Sequence, residues 1–140
     1  MKSITDKFAP YVPLIIRLIV GIVFVTHGLQ KLGNPSGIAG YLGFLGVPIP
    51  GVMGWFILLL EFIGGALLIL GLATRWVAAL IAIEMLVATV LAKMAQGVPL
   101  VADAAAGYEL DLALLAACLA LMVLGSGPLS IERNVLKREL

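Results

Sequence analysis

VMGWFILLLEFIGGALLILGL, residues 52–72, contains a single ionisable side chain, Glu61. A helix needs roughly 20 largely apolar residues to cross a bilayer. The stretch meets that length and shows no period-two alternation of the kind a barrel strand carries. Gly71-Leu72-Ala73-Thr74-Arg75 follows it, a tight turn. A second apolar stretch over 75–96 then carries Glu84. Two long apolar stretches joined by so short a turn read as an antiparallel helical hairpin.

Working outward, spans of the same kind lie over 12–31 and 108–125. Gly97 and Pro99 stop the third span, and Gly125, Gly127 and Pro128 stop the fourth. The expected fold is an all-α integral membrane protein. It is a four-transmembrane-helix antiparallel bundle forming one membrane domain over 1–140, with an interfacial Gly/Pro-rich loop after helix 1. A short amphipathic helix is expected in the tail over 129–140, where Ile131, Val135, Leu136 and Leu140 alternate with charges.

Composition agrees. Of the 140 residues 62% are hydrophobic and 12% charged, about half the charge of a soluble domain. This excludes an ordinary soluble enzyme and a disordered chain. A net charge of +1 leaves no basic field for nucleic acid. A single cysteine, Cys118, excludes an intramolecular disulfide framework, a thiolate zinc cluster and a CxxC redox pair.

Lysines and arginines in short flanks orient a membrane protein. With the N-terminus in the cytoplasm, Lys2, Lys7, Arg75, Arg133, Lys137 and Arg138 all lie inside. Only Lys31 and Lys93 approach the outer face, so both termini are expected to be cytoplasmic. The first span follows Lys2 and Lys7 but lacks a small-x-small cleavage site, and reads as an uncleaved helix. The connection over 32–51 holds six glycines and three prolines among large apolar residues. A short helix over 36–45, lying in the outer interface across the bundle mouth, is expected there.

The ionisable groups at depth are the informative ones. A charge near the bilayer centre costs about 2.5–3.5 kcal/mol on the mildest scale. Arg17, Gly21, Phe24, Gly28 and Lys31 share one stripe of the first helix, with His27 on its shoulder. Glu61 shares a face with Gly54 and Gly65. Glu109 shares one with Ala113, Ala116 and Ala120. Small residues beside charge mark close helix approach, so these faces are expected to turn inward. Arg17 is the permanent cation nearest Glu61 and Glu84, and its planar fork can bridge two carboxylates. An Arg17–Glu61–Glu84 cluster is therefore expected. Lys93 falls opposite Glu84 and is expected to snorkel outward. Cys118 falls opposite Glu109, toward lipid or another protomer. His27, the sole histidine, suits proton exchange or a hydrogen bond to a ligand. One histidine cannot supply a bis-His haem or a two-His metal box, and no metal site is expected.

The motifs Arg17-Leu18-Ile19-Val20-Gly21, Phe24 and His27-Gly28-Leu29-Gln30-Lys31-Leu32 resemble the first helix of the DoxX family. Leu45-Gly46-Val47-Pro48-Ile49-Pro50, Glu61-Phe62-Ile63-Gly64-Gly65, Leu70-Gly71-Leu72-Ala73-Thr74-Arg75, Glu84-Met85 and Gly125-Ser126-Gly127-Pro128-Leu129-Ser130 follow in the family's order. The resemblance implies a four-helix protein of the prokaryotic inner membrane. It also implies an association with redox chemistry, as in the DoxD-like proteins linked to thiosulfate:quinone oxidoreductase. With one cysteine, a sulfur relay on this chain alone has no second thiol.

Three functions are compatible with these residues. One is a redox-associated subunit that binds a quinone-like or other small amphiphile, with Arg17, His27, Lys31, Glu61, Glu84 and Glu109 as ligand or proton-relay candidates. No cofactor motif is visible, so electrons come from a redox partner protein. The second is a structural or assembly module whose polar core only sets helix register. The third is a small-solute or proton transporter or sensor, which needs a homodimer for room.

Overall fold

The computed structural model describes residues 3–104 and 106–140. Lys2, counted above in the basic N-terminal flank, lies outside the described residues. Every regular element among the described residues is helical. In chain order these are α1 (Ile4–Leu32), α2 (Pro35–Phe44), α3 (Pro50–Leu70), α4 (Thr74–Gln96), α5 (Glu109–Leu124) and α6 (Ile131–Asn134). Helices α1, α3 and α4 are long and apolar enough to cross a membrane. Helix α5 has 16 residues, about 24 Å of helix at 1.5 Å per residue.

The turns form where the sequence punctuates them. Gly71 (φ 67°) and Ala73 (φ 52°) take the left-handed conformation between α3 and α4. There the Gly71 and Leu72 amides donate to Leu68 O and Leu67 O at 3.1 and 3.0 Å, which closes the end of α3. The expected loop helix is present as α2. Asn34 caps it, its side-chain oxygen accepting from the Gly37 amide at 3.0 Å. The expected tail helix is much shorter. Only α6 is helical, and Glu132 within it is fully buried. Its carboxylate caps α4, and this draws the tail onto the protein.

Helices α1 and α3 meet along the small-residue seam. A Cβ on Gly28 would lie 2.6 Å from the Phe62 nitrogen, and one on Gly21 would lie 2.7 Å from the Gly65 oxygen. Only glycine permits that approach. Helices α4 and α5 pack through Val77, Ala78, Ile81, Ala82 and Met85 against Leu114, Cys118 and Leu121. Outward faces carry exposed Ile15, Ile19, Ile22 and Val123, surface that a lipid bilayer accommodates.

Both α3 and α4 contain a π-helical turn, at Leu60–Gly64 and Ala88–Lys93. A π turn is a local insertion that re-aims the residues beyond it. Glu61 sits in the first and Lys93 ends the second.

Candidate functional site

Two polar clusters occupy opposite ends of the helices. Lys31 is fourteen residues beyond Arg17 on α1, about 21 Å along the axis.

At the Lys31 end, α1, α3, α4 and α5 surround a cavity of about 750 Å³, roofed by α2. Its lining is mostly apolar, with Phe24, Leu60, Leu91 and Leu114 among its walls. Lys31 Nζ donates to both oxygens of Glu61, at 2.6 and 2.5 Å. Glu84 lies across from Glu61, and its Oε2 is buried without a hydrogen-bond partner. On the α5 side Lys93 Nζ donates to Asp111 Oδ1 at 3.1 Å and to the Gly107 carbonyl at 2.8 Å. Asp111 Oδ2 is likewise buried and unpartnered. His27 Nδ1 lies 2.8 Å from the Val23 carbonyl. A carbonyl only accepts, so Nδ1 carries the proton, and a neutral His27 presents a lone pair at Nε2. The cavity thus combines apolar walls with two ammonium–carboxylate pairs, a histidine and two buried carboxyl oxygens that lack partners. That combination suits a molecule with a polar head and an apolar body.

At the other end Arg17 is fully buried. Its Nε donates to Ser126 O at 2.8 Å, and Nη2 donates to Pro128 O and Leu129 O at 3.0 and 2.6 Å. Nη1 donates to Leu68 O at 3.1 Å and also to Ile69 O. One guanidinium therefore ties the last carbonyls of α3 to the turn over 125–130, where a cation also meets the negative end of the helix dipole. Glu132 supplies the nearby negative charge. Its Oε1 accepts from the Thr74 amide at 2.8 Å, capping α4. Ser126 Oγ and Ser130 Oγ lie 3.0 Å apart. Thr74 Oγ1 and Glu132 Oε2 are buried here without partners.

The expected Arg17–Glu61–Glu84 cluster does not form. Helical side chains lean toward the helix N-terminus, so Arg17 leans away from Glu61, whose cation is Lys31. Glu109 is exposed and outside the cavity. The inward stripe of α5 is Asp111, Leu114, Cys118 and Leu121, and the Glu109–Ala113–Ala116 side faces out. Cys118 is consequently fully buried, not turned to lipid. Lys93 does not snorkel outward. At 100° per residue it lies opposite Glu84, but the slower winding of the Ala88–Lys93 π turn brings it round to Asp111. His27, Lys31, Glu61 and Glu84 do converge on the cavity.

Four residues at these ends were not legible in the sequence: Lys93 and Asp111 at the cavity, and Thr74 and Glu132 in the polar knot around Arg17. The spacing of Asp111 with Leu114, Cys118 and Leu121 was a signal for the first pair, an i, i+3, i+7 stripe of larger residues. Nothing local marks Glu132 as buried.

Comparison with known proteins finds relatives that include membrane proteins. The chain is 35% identical over 124 residues to "Putative oxidoreductase CatD" of Bacillus subtilis, covering 89% of this chain and 87% of that protein. It is 32% identical over 131 residues to an uncharacterized membrane protein of Mycobacterium tuberculosis, covering 88% and 80%. It is 31% identical over 134 residues to an uncharacterized protein of Haemophilus influenzae, covering 95% and 97%. No solved structure gives a significant match. The DoxX family model matches residues 12–94, which include α2, α3 and all of the cavity wall from α1, and the chain is a membrane protein of the DoxX family.

Proposed function

We propose that the chain is a redox-associated subunit of the prokaryotic inner membrane that binds a small amphiphile with a quinone-like head in the Lys31-end cavity. The observation that carries this reading is the cavity's chemistry: apolar walls beside buried carboxyl oxygens of Glu84 and Asp111 that lack partners. Buried polar atoms are nearly always hydrogen-bonded, so a head group whose hydroxyls donate to these oxygens, as those of a reduced quinone do, completes the site. The name of the Bacillus relative supports an oxidoreductase association.

In this reading α5 is the fourth crossing and closes the bundle. The basic residues Lys7, Arg75, Arg133, Lys137 and Arg138 are cytoplasmic, which sets both termini inside. The cavity then opens in the outer half of the bilayer.

A quinone-like head, when bound, supplies two-electron, two-proton chemistry, with electrons exchanged through a redox partner protein. The chain's own residues bind and manage protons. Lys31 and Lys93 each have one N–H beyond those already engaged, available to a ligand oxygen. His27 can accept from a ligand hydroxyl at Nε2, since Nδ1 is engaged with the Val23 carbonyl. Glu61 and Glu84 share one cation, so the pair can hold a proton between them. The structural-module reading fits the Arg17 end, where backbone carbonyls satisfy the buried guanidinium.

The test is extraction of protein purified in native-membrane nanodiscs, with chromatography of the bound lipid. A stoichiometric quinone in wild type, lost in Glu84→Gln, is the expected result. No quinone in wild type, and no binding on adding a benzoquinone, overturns it.

A further inference from the structure

The walls of the cavity are not equally closed. Helix α1 is sealed to α3 by the glycine seam, and α4 is sealed to α5 by the apolar core. Helices α3 and α4 are joined by the tight turn at residues 71–73 and touch there. The segments of α3 that pack on α4 are Leu60–Gly64 and Gly65–Leu70. Beyond the π turn, Pro50–Leu59 packs on α2 and α1 instead. The two helices therefore diverge toward the Lys31 end, like the arms of a V.

The residues along that divergence both line the cavity and face outward. On α4 these are Ile83 and Val87, 60% and 47% exposed; on α3 it is Phe56, 49% exposed. All lie within helices long and apolar enough to cross a membrane, so the gap opens onto hydrocarbon. On the water side α2 covers the cavity, and Tyr41 Oη donates to the Ala92 carbonyl at 3.4 Å, linking the roof to α4.

We propose that the gap between α3 and α4 is a lateral portal, and that the ligand is a chain-bearing lipid. Its head lies against Lys31, Glu61 and Glu84, and its apolar chain passes between Phe56 and Ile83/Val87 into the bilayer. The inference rests on the reading that the cavity takes a quinone-like head. It adds the route of entry and the class of ligand, a membrane-dissolved molecule with one polar head and a long chain. Buried polar groups line the inner side of the cavity and exposed apolar side chains line its lipid-facing gap, which matches the two ends of such a molecule. A second copy of the chain or a bilayer acyl chain seated in the gap offers no head for the buried carboxyl oxygens.

The test uses the full chain in phosphatidylcholine nanodiscs and two probes. One is a methoxylated benzoquinone head alone; the other is the same head with a decyl chain carrying a photoreactive group at its end. Affinities are compared per mole fraction in the bilayer. Both probes are expected to bind wild type. Ile83→Trp and Val87→Trp fill the gap from the lipid side, where tryptophan is tolerated. They are expected to weaken the decyl probe about tenfold and the head alone by less than about twofold. Photolabel is expected on α3 and α4 near Phe56 and Val87. Equal weakening of both probes, binding of the head alone without the decyl probe, or label confined to α2 overturns the portal and leaves the head-binding site standing. Binding of neither probe to wild type overturns both readings.

Discussion

The two ends of this molecule use buried charge in opposite ways. At the Arg17 end one guanidinium meets five backbone carbonyls and a capping carboxylate, and helices, turn and tail close around it. At the Lys31 end two ammonium–carboxylate pairs stand around a space of about 750 Å³. Backbone carbonyls are fixed acceptors that the fold itself creates, so a cation serving them is structural. The carboxylates of Glu84 and Asp111 instead line a space and each leaves one oxygen without a partner, so they can serve something that comes and goes. The lesson is that a charge inside a membrane protein is read by what it faces, not by its cost.

The sharpest way to break this contrast is to remove Arg17. Arg17→Met leaves five carbonyls and Glu132 without their cation, and unfolding free energy is expected to fall by about 3–5 kcal/mol. Arg17→Lys does not restore it, because an ammonium lacks the five-donor fork. Thermal unfolding in detergent micelles measures both. A loss under about 1 kcal/mol for Arg17→Met removes the structural assignment.

Lys31→Met is the matching change at the other end. It removes the cation of Glu61 but leaves the backbone carbonyls of the fold satisfied, so a smaller loss of about 1–2 kcal/mol is expected. The double variant Lys31→Met/Glu61→Gln recovers most of it, and a double-mutant cycle reads the coupling. A loss as large as that for Arg17→Met erases the difference between the ends. Glu84→Gln sharpens the contrast further. Stability is expected to hold within about 0.5 kcal/mol, while affinity for a benzoquinone falls about tenfold. Loss of stability with binding intact reverses the assignment of this end.

The hairpin, the loop helix and the α1–α3 seam were legible in the sequence because each rests on a local rule: glycine and proline punctuation, or 100° per residue. Four cavity residues were legible for the same reason. The failures have two physical causes. A π turn shifts helical phase without a sequence mark, and that misplaced Lys93. Size misled at α5, where alanines near Glu109 resembled a packing seam, while the interior there is filled by Leu114, Cys118 and Leu121. The Arg17 knot was hidden for a third reason. Its partners are backbone carbonyls of residues more than fifty positions away, and carbonyls have no sequence signature.

The smallest expected effect tests how firmly the tail belongs to the knot. Glu139 accepts from Arg75 Nη2 at 3.1 Å and Arg133 Nε at 2.7 Å. Partial burial pushes its carboxyl up, but the two guanidinium groups outweigh burial and hold it below the usual glutamate range. The folded protein therefore binds this proton less readily than the unfolded chain does. The bridge contributes fully above the ordinary glutamate value of about 4.3, and the contribution is lost as pH falls through the lower folded value. Both arginines are largely solvated, so screening limits the gain to a few tenths of a kcal/mol. The protection factor of the α6 amides, which takes out the intrinsic pH dependence of exchange, is expected to fall in wild type as pH is lowered and to stay flat in Glu139→Gln. High salt should flatten the wild-type response as well. An α6 that loosens identically in both proteins assigns the tail's attachment to Glu132 alone, and the knot then ends at its buried cap rather than at the surface.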